Sequence, residues 1–600
     1  PNEESRREVM HRISELGFAF DRNGHHTMDS LKSSLLADFR LPRRLSTGPA
    51  FEAVLHDTCA SAAARLSFPL INPLPEMPWS RGKTRSLSEL HRFLSLEDAL
   101  GSWDGPGIKP FSTILQDLER RLGGTHPDFV STRIQSNLSD KKIPFTLKDI
   151  DGIIFLNHPP SLPKSHAKLL LDISQICPIH QLTNPGSFRL GHHGFQLKDK
   201  KPISSASELP SWVPDHEIAT IDQEQSFQRV MLQSEDHAFD AALSIIKEEL
   251  ETNDSTSVMI VDPSLGDSIG KWTRMLRNIG LPAQDIETPL ISTPAGFWLH
   301  QLCNTGHGTN SFSMEDIRTL SMQASISPFD TVLEHPSSSE IRPIASPDVL
   351  SGFARSEHIL GGRGALSRWL DALRMAPQSD DIGPAKESTQ WWLLSLSSSM
   401  KPLLRKEDRE LLEREEIYVG CHTGEKLPVQ ETLRDADEWL RNISNILTQE
   451  EIKISLDGTS IPPAIVVQRI ISEHRSLRQL QSALGIAPAI DGPEWVQETS
   501  HLIKSLTITN NPLNTNRVRL MTPAMTLGCS CDLLILANVS SSSWKLKVPK
   551  FAFLGDSERH SSNLLGPEGP IMDARHFLSN ILNCSPRVVI LDPSLAPSSP

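Results

Sequence analysis

From Met28 to Leu70 the apolar residues recur at the spacing of one helix face: Leu31, Leu35 and Leu36, then Phe51, Val54, Leu55, Ala60 and Ala63, with the turn LPRRLSTGP between them. That period predicts two helices. The same style continues through SLSELHRFLSLEDAL and FSTILQDLERRLGG, where Gly123 and Gly124 supply a helix stop. At residues 150–173, IDGIIFLNHPPSLPKSHAKLLLDI, the pattern changes to an apolar strand running into an amphipathic helix. Pro163 stands where a first helical turn tolerates proline, and Ala167, Leu170, Leu171 and Ile173 form the apolar face. A proline- and serine-rich stretch at 196–218 reads as a linker, and a second α/β pattern follows it. It comprises a strand over Phe227–Leu232, a helix capped by Ser234, the strand VMIV (258–261), and a helix through Trp272, Leu276 and Ile279 that Gly280 stops. Strand, helix, strand, helix at this spacing predicts neighbouring parallel strands.

From about Phe297 to Ile508 the pattern is helical and irregular. LSRWLDALRM, WWLLSLSSSM and ADEWLRNISNIL place Trp and Leu on one face, which predicts tryptophans in helix cores rather than on a base-stacking platform. Strand signals return at Val518–Met521, at Leu533–Ala537 and in RVVIL (587–591), with a helix expected over 573–583. The expected fold class is therefore α/β, with two parallel-sheet cores and large helical insertions. An N-terminal core with a helical subdomain is placed at 1–205. A second core is split between 220–300 and 509–600 by a helical insertion at 301–508.

Composition narrows the partners. No apolar run approaches the roughly 18 residues needed to span a bilayer, and the charged start PNEESRREVMHRISELG is unlike a signal peptide, so no membrane and a cytoplasmic location are expected. Seven scattered cysteines fit a reducing compartment, and Cys529 and Cys531 in GCSCD lack further ligands at metal spacing, so buried thiols are expected there. The net charge of −14 supplies no global positive field, and any nucleic-acid contact must be local. SRGKT (80–84) ends like a phosphate loop, but Met77 stands where its first glycine belongs and no apolar strand precedes it. The paired histidines of NGHHTM and RLGHHGF lack a third ligand, and no G-x-S-x-G elbow is present. No catalytic, cofactor or metal residue is assigned.

Two stretches carry a resemblance. VMIVDPSLGDSIGKWTRMLRNIGLPAQDIETPLISTPAGFWLHQL (258–302) resembles the second core domain of AddB-type (AddB/RecB-like) subunits of helicase-nuclease repair complexes. RVRLMTPAMTLGCSCDLLILANVSSSSWKLKV (517–548) resembles the same family through Ala524, Gly528, Asp532 and Trp544, followed by DSERH (556–560), ARHFLSNIL and RVVIL. The resemblance implies a degenerate superfamily 1 helicase fold. In active motors the strand before the "q..ll..l" helix ends in an Asp-Glu pair that holds Mg²⁺; here Leu156, Asn157 and His158 occupy that end. Asp262 stands near the place of a γ-phosphate arginine, and MTLG (525–528) lacks a basic residue. Three departures at nucleotide-contact positions imply no ATP hydrolysis.

The resemblance further implies a non-motor, DNA-binding scaffold that processes double-strand DNA ends for recombinational repair beside a motor helicase subunit. A PD-(D/E)XK nuclease domain with its Mg²⁺ would lie beyond Pro600. DNA-contact candidates are Arg517, Arg519, Lys545, Lys547 and Arg575 for phosphates and Trp544 for stacking on a base. The alternative is a protein-interaction scaffold without DNA or nucleotide binding, consistent with the net charge.

Overall fold

The computed structural model describes residues 24, 26–139, 143–148, 150–156, 162–182, 226–234, 236–253, 256–281, 287–307, 309–322, 344–423, 436–447, 462–509, 518–526, 529–539, 544, 550–562, 564–566, 577–578, 581–582 and 584–593. The chain divides into two compact units, one of residues 1–47, 55–284 and 512–600 and one of 48–54 and 285–511.

The first unit opens with helices. α1 (Met28–Asp38) starts on a reciprocal cap, in which Thr27 Oγ1 accepts from Ser30 N at 3.2 Å and Ser30 Oγ accepts from Thr27 N at 2.8 Å. α2 (Pro49–Ala64, of which residues 49–54 are counted with the second unit), α3 (Arg81–Leu96), α4 (Ile108–Leu122) and α5 (Pro127–Ser139) follow. Gly123 ends α4 in the left-handed region, at φ 66°, as the sequence predicts. The strand β1 (Ile153–Leu156), α6 (Lys164–Ser174) and β2 (Ile179–Leu182) make a β-α-β element whose strands run parallel, Ile153 opposite Ile179. Leu31, Leu35 and Leu36 of α1 pack with Val130, Ile134 and Leu138 of α5 and with Leu169 and Ile173 of α6. Of the α6 face read from the sequence, Ile173 lies in this core, Ala167 and Leu170 pack with Leu162 in a second cluster, and Leu171 is exposed.

β3 (Ser226–Met231), α7 (Asp236–Thr252), β4 (Val258–Val261) and α8 (Leu265–Asn278) form the second α/β pattern, with Ser234 Oγ accepting from His237 N at 3.3 Å as the α7 cap. The chain then enters the helical unit through β5 (Glu287–Pro289), α9 (Pro294–His307), α10 (Met314–Met322), α11 (Pro347–Ser356), α12 (Ala365–Met375), α13 (Lys386–Ser399) and α14 (Lys406–Thr423). It continues through α15 (Ala436–Leu447), α16 (Pro463–Leu484), α17 (Gly492–Ser505) and β6 (Thr507–Thr509). β7 (Val518–Met521), β8 (Leu533–Leu536), the short α18 (Asp556–Ser561) and β9 (Arg587–Asp592) complete the first unit.

Strands from both sides of the helical unit join one parallel five-stranded sheet in the order β3-β9-β8-β4-β7. β4, β7 and β8 are buried at all four positions, which is why two of them read as unbroken apolar runs. The helical unit takes in residues 285–511. β5 pairs antiparallel with β6, Glu287 opposite Thr509, and so places residues 287–300 in the helical unit. Strands of three residues have too little alternation to be legible beforehand.

In the helical unit Trp369, Trp439 and Trp495 are fully buried. A polar network runs among α15, α16 and α17. Asp437 accepts from Trp495 Nε1 at 2.7 Å and from Arg478 Nε at 3.1 Å, and Arg478 also donates to Gln481, Glu498 and the Ala489 carbonyl. His474 stacks on Trp495 and bonds Thr499 at 2.9 Å. Burial, reinforced by Arg478 and opposed by Asp437, holds the His474 pKa down to about 4. Among the described residues no helix is long and apolar enough to cross a membrane.

Candidate functional site

Open parallel sheets bind ligands at the carboxyl ends of their strands. Here those ends carry Asp262 after β4, Asn538 after β8 and Asp592 on β9. Asp262 is buried and fully engaged: one oxygen accepts from Ser264 N at 2.8 Å, the other from Ser268 Oγ at 2.6 Å and Trp272 Nε1 at 2.9 Å. The carboxylate therefore closes the start of α8, where a nucleotide phosphate would need free N–H groups. Asn538 has a left-handed backbone, φ 53°. Its Nδ2 lies 3.4 Å from Ser264 Oγ while its Oδ1 is buried without a partner among the described residues. An asparagine directly after an apolar strand was the available signal for this position, and sequence reasoning passed over it. Asp592 is paired with Arg229.

SRGKT lies at the start of α3, and no strand precedes it among the described residues. Lys83 Nζ donates to Asn72 Oδ1 at 2.7 Å and lies 5.5 Å from the centre of the Trp79 ring. Thr84 Oγ1 accepts from Trp79 Nε1 at 2.8 Å and is 3.2 Å from His56 Nδ1. Asn72, itself buried, donates to the Leu74 and Met77 carbonyls, each at 3.1 Å. The lysine and threonine thus hold the loop between α2 and α3. Lys83→Ala is expected to cost about 1–2 kcal/mol in a urea melt, through the lost hydrogen bond and ring contact. Unchanged stability combined with lost nucleotide binding would show the phosphate-loop role instead.

Of the DNA-contact candidates, Arg517, Lys545, Lys547 and Arg575 lie outside the described residues, as do Asn157, His158 and Gly528. Arg519 is buried on β7 and donates to the Ser530 carbonyl. A guanidinium spent on that carbonyl inside the sheet is not offered to a phosphate, which corrects its place among the contacts. Trp544 is half-buried, packs against the core around Met259, Val261 and Leu534, and points its Nε1 at the Ala537 carbonyl, 3.4 Å away. This environment is that of a core aromatic more than of a stacking platform. Cys529 and Cys531 are buried, and burial pushes the Cys531 thiol up to about 12. Among the described residues no group of histidine, cysteine and carboxylate side chains is placed to hold a metal ion.

DSERH forms α18, with Glu558 accepting from Gly555 N at 3.1 Å. Arg559 is 2% exposed. Its guanidinium sits 5.2 Å from the Phe93 ring and 5.5 Å from the Phe551 ring, and it donates to the Leu565 carbonyl through Nε at 3.1 Å and Nη2 at 2.8 Å. Beside it the buried Glu97 accepts from Leu565 N at 3.1 Å and lies 3.5 Å from Lys164 Nζ. Burial raises the Glu97 pKa, against Lys164, the Leu565 N–H and Arg559. This cluster ties the end of α3 to a segment more than 460 residues later, a pairing no local pattern announces. No protein-family model matches the chain, and no curated protein matches it.

Proposed function

We propose that the chain is a non-motor, DNA-binding scaffold of a helicase-nuclease that processes double-strand DNA ends for recombinational repair. A motor helicase subunit is its partner, and nuclease chemistry belongs to a Mg²⁺-dependent domain beyond residue 600. The observation that supports the non-motor part is the internal commitment of Asp262, Lys83 and Thr84. Each stands where a nucleotide contact would be sought, and each is engaged by side chains of the fold itself. DNA is held through phosphates by local cations, with Arg517, Lys545, Lys547 and Arg575 as the candidates left after Arg519 is withdrawn.

Binding to end-labelled duplex and single-stranded oligonucleotides, measured by anisotropy over a salt series, tests this. Affinity should fall steeply with salt, and the double variant Lys545→Ala with Lys547→Ala should flatten the log–log slope by about 1–2. ATP turnover by the purified chain that disappears in Lys83→Ala would overturn the non-motor reading. A second reading, a protein-interaction scaffold without DNA affinity, is favoured by the net charge of −14 and by the internal engagement of Arg519 and Trp544. Binding independent of salt, or no binding, decides for it.

A further inference from the structure

We propose that Lys32, with His166, Arg44 and Arg92 around it, forms a binding site for a phosphate-type oxyanion. Lys32 lies on α1 and is 6% exposed. Its ammonium donates to Nε2 of His166 on α6 at 2.8 Å, which requires that nitrogen to be an acceptor and the ring neutral. The nearby carboxylates are engaged elsewhere: Asp29 pairs with Arg44 at 3.1 Å, and Asp128 bonds His91 at 2.6 Å. Among the described residues Lys32 has no ion pair. Arg92, exposed on α3, makes neither an ion pair nor a hydrogen bond among them.

A buried ammonium whose hydrogen-bond partner is a neutral imidazole is costly to keep, and a methionine would fill the same space without that cost. In a chain of net charge −14, three cations, Lys32, Arg44 and Arg92, set against two carboxylates, Asp29 and Asp128, that are already engaged mark a place for an external anion. Burial is the largest influence on Lys32; Arg44 and Arg92 add to it against Asp29 and Asp128, and together they bring its pKa to about 8. Burial and Lys32, against Asp29, hold His166 at about 3. An oxyanion would accept the ammonium hydrogens that His166 leaves over, and the exposed guanidinium of Arg92 supplies the planar fork that phosphate oxygens fit.

The test uses the full chain and inorganic phosphate. Competitive acetylation, read by peptide mass spectrometry across pH, gives the titration midpoint of Lys32. Phosphate should raise that midpoint by about one unit or more, while chloride at matched ionic strength leaves it in place. In thermal melts, phosphate should stabilise the wild type and not Lys32→Met, whose own midpoint should equal or exceed the wild-type value. If a duplex oligonucleotide shifts Lys32 and free phosphate does not, the site is assigned to nucleic-acid backbone; the reverse assigns it to small phosphates. A labelling midpoint insensitive to both overturns the proposal even if Lys32→Met fails to fold. Since free phosphate alone can satisfy the test, its outcome is separable from that of the DNA-scaffold reading.

Discussion

Replacing Asp437 with alanine is expected to destabilise the helical unit by about 2–3 kcal/mol, because removing one member of a half-buried charged network strands the others. Asp437 is the shared acceptor of Trp495 Nε1 and Arg478 Nε, and its Oδ1 lies 3.7 Å from His474 Nδ1. Burial alone would raise the carboxyl pKa, but the Trp495 and Arg478 hydrogen bonds and the neighbouring positive charges outweigh it and hold it below the ordinary range. Without the carboxylate, Trp495, which is wholly buried, loses its acceptor, and Arg478 keeps only Gln481, Glu498 and the Ala489 carbonyl. Asp437→Asn retains an acceptor of the same size and should cost about half as much. Urea melts followed by tryptophan fluorescence measure both. A loss below about 1 kcal/mol in the alanine variant would mean that the network contributes little beyond packing.

The second large effect concerns Asp262. Its substitution by alanine leaves the Ser264 N–H, the Ser268 hydroxyl and the Trp272 indole without their acceptor at the start of α8. Trp272 is fully buried and packs against Phe239, with ring centroids 4.4 Å apart, so its indole N–H has no route to water. Two or three stranded donors at about 1–3 kcal/mol each predict a loss of about 3–5 kcal/mol, seen as an earlier unfolding midpoint in circular dichroism. Were Asp262 kept for a ligand instead, alanine would leave the midpoint almost in place and change binding.

Much of the second sheet was legible because its central strands are short apolar runs bounded by turn residues. VMIV and LLIL are observed as β4 and β8 within one residue of their expected ends. The same logic failed at β5 and β6, where three residues carry no period. It also failed for Arg519. The resemblance named Arg519 as a phosphate contact, yet β7 is buried at every residue and the Ser530 carbonyl receives the guanidinium. Of the candidate site, the sequence showed that SRGKT lacks a phosphate-loop context, but it did not show that Asn72 and Trp79 are what Lys83 and Thr84 serve.

By itself the amino-acid order determined the local elements: which stretches carry a helical or strand period, where glycines stop helices, and that Asn157 and His158 rather than two carboxylates follow β1. Those properties depend on neighbours a few residues apart. Only the tertiary structure decided which polar groups are spent internally, because partners such as Lys32 and His166 or Glu97 and Leu565 are brought together by packing across more than a hundred residues. A charge's chemical meaning rests on its burial and its partner, and both are properties of the folded chain.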